Sequence, residues 1–134
     1  GGLLAGSALA ANYFSPKTTV VAAEPEGADD AYRSFLSGIL VPSENPKTIA
    51  DGLLTSLGPI NFELIKKHVS EINLVTDEEI IHAMKLIYLH LKVVIEPSSA
   101  TVFAMVLKRK EIFKGKRVAL ILSGGNVDLA KLPF

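Results

Sequence analysis

Val118-Ala119-Leu120-Ile121-Leu122-Ser123-Gly124-Gly125-Asn126, near the end of the 134-residue chain, sets the expected fold. The apolar run Val118–Leu122 lies between Lys116-Arg117 and two glycines. An apolar run without alternation, so bounded, predicts a strand buried on both faces. Such strands belong to parallel sheets covered by helices, where ligands sit just beyond the strands' C-terminal ends. Ser123 followed by two residues without side chains lets a flat ligand approach the backbone, with one hydroxyl aimed at it. A tight turn leaving a strand uses the same residues, and the short motif alone does not separate the two.

Upstream, helix and strand signals alternate. Leu3, Leu4, Ala8, Leu9, Ala11 and Phe14 give a helical apolar pattern stopped by Ser15-Pro16. Thr18–Ala23 is β-branched and apolar, which predicts a second buried strand, followed by the loop Glu24–Gly27. A helix over Ala28–Leu36 closes at Gly38, and residues 42–58 suit loop and turn, a length that points to function or a short helical turn. Pro59–Val69 reads as a helix opened by its proline, and Ile72–Val75 as a short strand. Thr76 and Glu79 form a capping box, and Ile80, Met84, Ile87, Tyr88 and Leu91 then make one apolar stripe. Val93-Val94-Ile95 ends at Glu96-Pro97-Ser98-Ser99. The following helix, Ala100 to about Lys108, is apolar nearly all round and is expected to be internal. Strand, loop and helix recur without hairpin signals, so the class is α/β with a parallel sheet flanked by helices.

The chain opens Gly1-Gly2-Leu3-Leu4-Ala5-Gly6. Glycines feeding a helix N-terminus form a phosphate cradle, because free N–H groups and the positive end of the helix dipole converge there. Such a loop normally follows a strand, so the sequence predicts a fragment that starts inside a functional loop. For Gly1-Gly2 alone, a scar of small residues is the competing explanation.

Composition sets milder bounds. Hydrophobic residues make up 49%, and 14 Lys+Arg balance 14 Asp+Glu, so neither nucleic acid nor an acidic membrane surface is the expected partner. The longest apolar stretch is far short of the roughly 18 residues a spanning helix needs. With no cysteine, a disulfide framework, a thiolate metal site and a cysteine nucleophile are excluded within this sequence. A cytoplasmic setting is the default expectation.

Five motifs occur in order: Gly1–Gly6; Glu24-Pro25 with Ala28-Asp29-Asp30; Thr48-Ile49-Ala50-Asp51-Gly52; Glu96-Pro97-Ser98; and Ser123-Gly124-Gly125-Asn126-Val127-Asp128. Together they cover essentially the whole chain. In this order it resembles the C-terminal half of the serine racemases and the related threonine/serine dehydratases, fold type II pyridoxal-phosphate enzymes. The resemblance implies that residues 1–134 are the C-terminal part of an incomplete large, cofactor-binding domain.

It also implies roles. Gly1 and Gly2 would end the glycine loop around the cofactor phosphate, with Leu3 and Leu4 supplying the next N–H groups. Ser123 would be the partner of the pyridine nitrogen. A serine hydroxyl shares a hydrogen bond but does not hold the ring cationic as a carboxylate would. That weaker electron sink suits α-proton removal followed by reprotonation or by loss of a β-hydroxyl. Asn126 would continue the ring-nitrogen loop, Asp51 and Gly52 would border the substrate and the ring face, and Glu96 would lie near the ring. From sequence alone Glu96 equally suits an acid at a helix start. Glu24, the Ala28 carbonyl and Asp30 would hold Mg²⁺, Ca²⁺ or Mn²⁺; without the resemblance, Asp29 and Asp30 suit an acidic helix N-terminus.

The lysine that forms the Schiff base lies in the family's N-terminal half, and no segment here matches it. The full-length protein is therefore expected to be an enzyme acting on a small amino acid, commonly a homodimer, and this chain alone to be inactive. Racemase or dehydratase, and serine or threonine, stay open. Two rivals from other classes are a nucleotide-binding Rossmann module, whose glycine spacing is incomplete here, and a non-enzymatic ligand-binding or oligomerisation domain.

Overall fold

The computed structural model describes residues 1–134. Helix α1 (Gly2–Phe14) contains no charged residue and buries Ala5 and Ala8. It ends where Ser15 N–H turns back to the Ala11 carbonyl, just before Pro16. Strand β1 (Val21–Pro25) leads through a 3-10 turn (Glu26–Ala28) into α2 (Asp30–Ser37). That helix stops at Gly38, whose φ of 72° is left-handed and favours glycine. After a long loop with a 3-10 turn at Asp51–Leu53 come α3 (Pro59–His68), with proline in its first turn, and β2 (Glu71–Val75). Helix α4 (Asp77–Leu91) opens on the complete Thr76/Glu79 capping box. Helix α5 (Pro97–Lys108), a short α6 (Lys110–Phe113) and a last 3-10 turn (Leu129–Lys131) follow.

β1 and β2 pair in parallel, from Val21 opposite Glu71 to Pro25 opposite Val75. Ser70 fixes their start, since its N–H and its hydroxyl both donate to the Val20 carbonyl, at 2.9 and 2.8 Å. Side chains alternate across the sheet. Ala22 and Ile72 join Ala5, Ala8, Ala31, Ile65 and Val69 in a core beneath α1, α2 and α3. Val75 joins Ile80, Ala83, Met84, Ile87, Ile95, Ala100, Ala104 and Met105 in the core on the opposite side, under α4 and α5, with Val21 and Ala23 packed against it. The observed class is thus α/β, a parallel sheet with helices on both faces. Helix α5 touches both strands and is internal, as its composition predicts. No helix is long and apolar enough to cross a membrane.

Three local expectations are corrected. Val118–Leu122 is not a strand: none of its backbone groups is hydrogen-bonded within the chain, and Val118 and Ile121 are 44% and 50% exposed. A strand exists only with a neighbour, and here β1 and β2 pair with each other alone. Leu122 still packs on the α4–α5 core, so one side of the run is used. β1 begins later than Thr18, because Thr18 N–H bonds to the Ser15 carbonyl and its hydroxyl to that of Ser15, prolonging the turn. In the α4 stripe, Ile80, Met84 and Ile87 are buried, whereas Tyr88 and Leu91 are exposed.

Candidate functional site

The start of α5 organises the site. Glu96 stands at its N-cap and Pro97 in its first turn, yet the Glu96 side chain makes no capping bond to its own helix. Instead its Oε2 accepts from Asn126 N–H at 3.1 Å, and its main-chain N–H donates to the Gly124 carbonyl at 3.0 Å. Ser99, buried on the same turn, accepts from Gly124 N–H at 2.7 Å and donates to the Gly124 carbonyl at 3.1 Å. A side chain at Gly124 would run straight into the Glu96 carboxylate, so the glycine is required by close approach.

Gly52 meets the same cluster from the other side. Its N–H donates to Ser98 Oγ at 3.0 Å and to its own neighbour's Asp51 Oδ1 at 2.9 Å. A Cβ on Gly52 would sit 2.8 Å from Ser98 Oγ and 3.4 Å from Glu96 Oε1. The structure therefore brings Gly52, with its neighbour Asp51, and Gly124 and Asn126 together around the Glu96 carboxylate, with Ser123 exposed at the edge. The approach of Gly52 is set from behind by Asp77, the first residue of α4. Its carboxylate accepts from Thr48 Oγ1 at 2.5 Å and from Ile49 N–H at 3.1 Å, and fully buried Ala50 follows.

Asp77→Ala is expected to cost the protein about 1–3 kcal/mol, since two donors lose a charged acceptor. It should also loosen Asp51–Gly52. Urea unfolding gives the first quantity and amide hydrogen exchange over residues 48–53 the second; an unchanged exchange pattern would contradict the tie.

The chain's first residues lie at the other end of the 51–57 segment. Gly1 packs against Leu57, Asn61 and Ile65, and α1 has neither an acidic residue in its first turn nor a side-chain cap. Its leading N–H groups are thus uncapped by any side chain. Leu57 N–H in turn donates to Asp30 Oδ2 at 3.3 Å. The segment so links two places: it touches the glycine cluster at Gly52, and the acid pair Glu24/Asp30 at Leu57.

Glu24 and Asp30 are both buried, as is Ala28 between them. Glu24 Oε1 accepts from Ala31 N–H at 3.2 Å and Oε2 from Tyr32 N–H at 2.8 Å. Burial nevertheless pushes its carboxyl up to about 7; the Tyr32 and Ala31 amides oppose this, and the charge of Asp30 adds to it. Burial likewise raises the Asp30 carboxyl, against the pull of Leu57 N–H. The cation on this helix, Arg33, is paired with Asp29 at 2.8 Å instead. Neither carboxylate is ion-paired, and no cluster of three or more acidic or histidine side chains that could hold a metal ion forms around them.

Sequence reasoning missed Ser99 and Asp77. A serine or aspartate in a helix's first turn looks like local end chemistry, and only the fold shows that both reach across to other segments.

The pattern of the family described as "Pyridoxal-phosphate dependent enzyme" matches residues 1–124. The chain belongs to the pyridoxal-phosphate dependent enzyme family. Among curated relatives, it is 53% identical over 134 residues to a β-hydroxyaspartate dehydratase of Paracoccus denitrificans, covering 100% of this chain and 42% of that protein. Among solved structures it superposes on serine racemase from Dictyostelium discoideum with a TM-score of 0.89 and 50% identity, over 96% of this chain and 42% of that one. Maize serine racemase gives a TM-score of 0.91 and 38% identity, over 97% of this chain and 41% of that one. The chain thus spans under half the length of these members of the pyridoxal-phosphate family.

Proposed function

We propose that the full-length protein carries out pyridoxal-phosphate-dependent racemisation, β-elimination of water followed by hydrolytic release of ammonia, or both, on a small 3-hydroxy amino acid, L-serine or L-threonine. On this reading residues 1–134 are the C-terminal part of its large domain. The Schiff-base lysine comes from an N-terminal half outside these residues, and the chain is inactive alone. The observation that carries the reading is the convergence of Gly52, Gly124 and Asn126 on the Glu96 carboxylate, next in sequence to Ser123, within a chain of this family. The relatives add β-hydroxyaspartate as a further substrate to try.

The residues present fit the cofactor. The uncapped start of α1 and Gly1, Gly2 and Leu3 offer N–H groups to a phosphate, and Gly52 and Gly124 let the backbone close onto Ser98 and the Glu96 carboxylate, next to Ser123. Bound pyridoxal phosphate supplies the electron-withdrawing ring that makes the α-proton of an amino acid removable. Ser123 would offer one neutral hydrogen bond to the ring nitrogen, and Asp51 would border the substrate. Glu96, whose carboxylate is engaged by Asn126 N–H, would hold the loop beside the ring. Glu24, the Ala28 carbonyl and Asp30 would hold Mg²⁺, Ca²⁺ or Mn²⁺, neutralising the acid pair without entering the reaction. A homodimer, the usual state in this family, and a cytoplasmic setting, the default from composition, complete the proposal.

The test is the purified full-length protein with pyridoxal phosphate and each amino acid, measuring D-enantiomer by chiral chromatography and 2-oxo acid with ammonia. No product from any of the three substrates, with cofactor demonstrably bound, would overturn the reading. Ser123→Ala is expected to lower kcat about tenfold, the worth of one hydrogen bond of about 1.4 kcal/mol. An unchanged kcat would remove Ser123 from the ring.

A further inference from the structure

We propose that Ser99 is a positioning residue for the cofactor ring, clamping Gly124 so that Ser123 is presented in one fixed direction; the proposal rests on the reading above. Ser99 Oγ spends its acceptor capacity on Gly124 N–H at 2.7 Å and its donor on the Gly124 carbonyl at 3.1 Å. The N–H belongs to the peptide plane shared with Ser123, and the carbonyl to the plane shared with Gly125. Referring both planes to a single oxygen fixes φ and ψ at Gly124. Glycine is otherwise the residue with the freest backbone, and Gly125 follows at once. Without the clamp, a swivel would stand immediately after the hydroxyl that addresses the ring.

Glu96 shares only half of this task. Its N–H also donates to the Gly124 carbonyl and its carboxylate accepts from Asn126 N–H, so it holds the Gly125 side of the loop and leaves the Ser123–Gly124 peptide to Ser99. The bond from Gly124 N–H to Ser99 is the only hydrogen bond made by the Ser123–Gly124 peptide group. Ser99 is itself rigidly mounted. It is 4% exposed, its own N–H donates to the Glu96 carbonyl at 3.1 Å, and its neighbours Ala100 and Thr101 are buried. It sits on α5, which packs against both strands. A hydroxyl fixed to a packed helix is the kind of support that holds a binding group within the tolerance that directed hydrogen bonding demands. A serine this early in a helix usually faces water or its own backbone, whereas this one is buried and wholly committed to a loop 25 residues away.

The experiment uses the full-length protein loaded with pyridoxal phosphate, in wild-type, Ser99→Ala and Ile72→Val forms. Ile72 is buried in the other core, beneath α1–α3, so its valine variant is a packing control on the opposite face of the sheet. Wild type must first bind the cofactor with a visible circular-dichroism band. If it does not, the proposed function fails, and the role of Ser99 fails with it. Given binding, Ser99→Ala is expected to raise the cofactor Kd about 5- to 30-fold, the equivalent of one to two hydrogen bonds. It should also weaken the cofactor's circular-dichroism band and lower kcat about tenfold while KM changes less than about twofold. Ile72→Val should lower the melting temperature and leave the cofactor band as in wild type. Ser99→Ala protein that melts earlier but keeps wild-type Kd, band and kcat would overturn the proposal and leave Ser99 a purely structural serine. If the alanine variant does not fold, Ser99→Cys, with its weak donor and acceptor, is judged by the same measurements and limits.

Discussion

Alanine in place of Gly27 is expected to lower the stability of the full-length protein by about 3 kcal/mol or more, near the upper end for overpacking. Gly27 lies in the 3-10 turn after β1, and its backbone rests directly on that of Lys47. A Cβ there would overlap the Lys47 carbonyl oxygen and come within 2.8 Å of its carbon. These are main-chain atoms, which do not swing aside as the end of a long side chain would. Relief requires parting the two segments, which breaks the 2.7 Å bond from Lys47 N–H to the Gly27 carbonyl. The loop that then lifts away is the one carrying Thr48, Asp51 and Gly52, so the damage should reach the site as well. Urea unfolding measures the loss. Gly6→Ala is the matched control, because a Cβ there meets nothing within 4 Å and alanine favours a helix. Gly6→Ala should be neutral or gain up to about 1 kcal/mol. A Gly27→Ala protein within about 1 kcal/mol of wild type would show that the two backbones are not in firm contact.

In metal-free buffer, stability is expected to fall as pH rises from about 5 to about 7, by up to about 3 kcal/mol from Glu24 alone. The sign follows from proton uptake. The Glu24 carboxyl goes from 4.5 when unfolded to about 7 when folded, so between those values the folded state binds more protons. Raising the pH through that window strips a proton the fold would rather keep, and above about 7 the loss is complete. Asp30, raised in the same direction, adds to the slope. Glu24→Gln should flatten most of the profile, since a neutral amide keeps the shape without the charge. Added Mg²⁺ at pH 8 should restore stability to wild type and give little to Glu24→Gln. A wild-type profile that is level between pH 5 and 7 would remove both the pair's strain and the argument for a cation.

Much of the fold was legible because its boundary signals are local. Pro59 and Pro97 open α3 and α5, Thr76 with Glu79 opens α4, and Ser15-Pro16 closes α1; each depends on a few neighbouring residues. What failed was non-local. Val118–Leu122 has the composition of a buried strand, but composition does not supply the partner whose carbonyls and amides a strand needs. In the candidate site, Gly52, Glu96 and Asn126 were each foreseeable, and the fold brings them to one point. Ser99 and Asp77 were not, because their partners lie 25 and 28–29 residues away, and nothing in a serine or an aspartate states its distance of reach.

The unpaired run Val118–Leu122 has a practical consequence. It presents a bare row of amides and carbonyls on an apolar, β-prone ribbon with no proline or charge inside it, the combination that templates edge-to-edge growth between molecules. Lys116 and Arg117 at one end act as the only nearby gatekeepers. Wherever that ribbon is left uncovered, turbidity and fibrous precipitate are the hazard to anticipate, and a lysine in place of the half-exposed Ile121 is the change that should keep such material in solution.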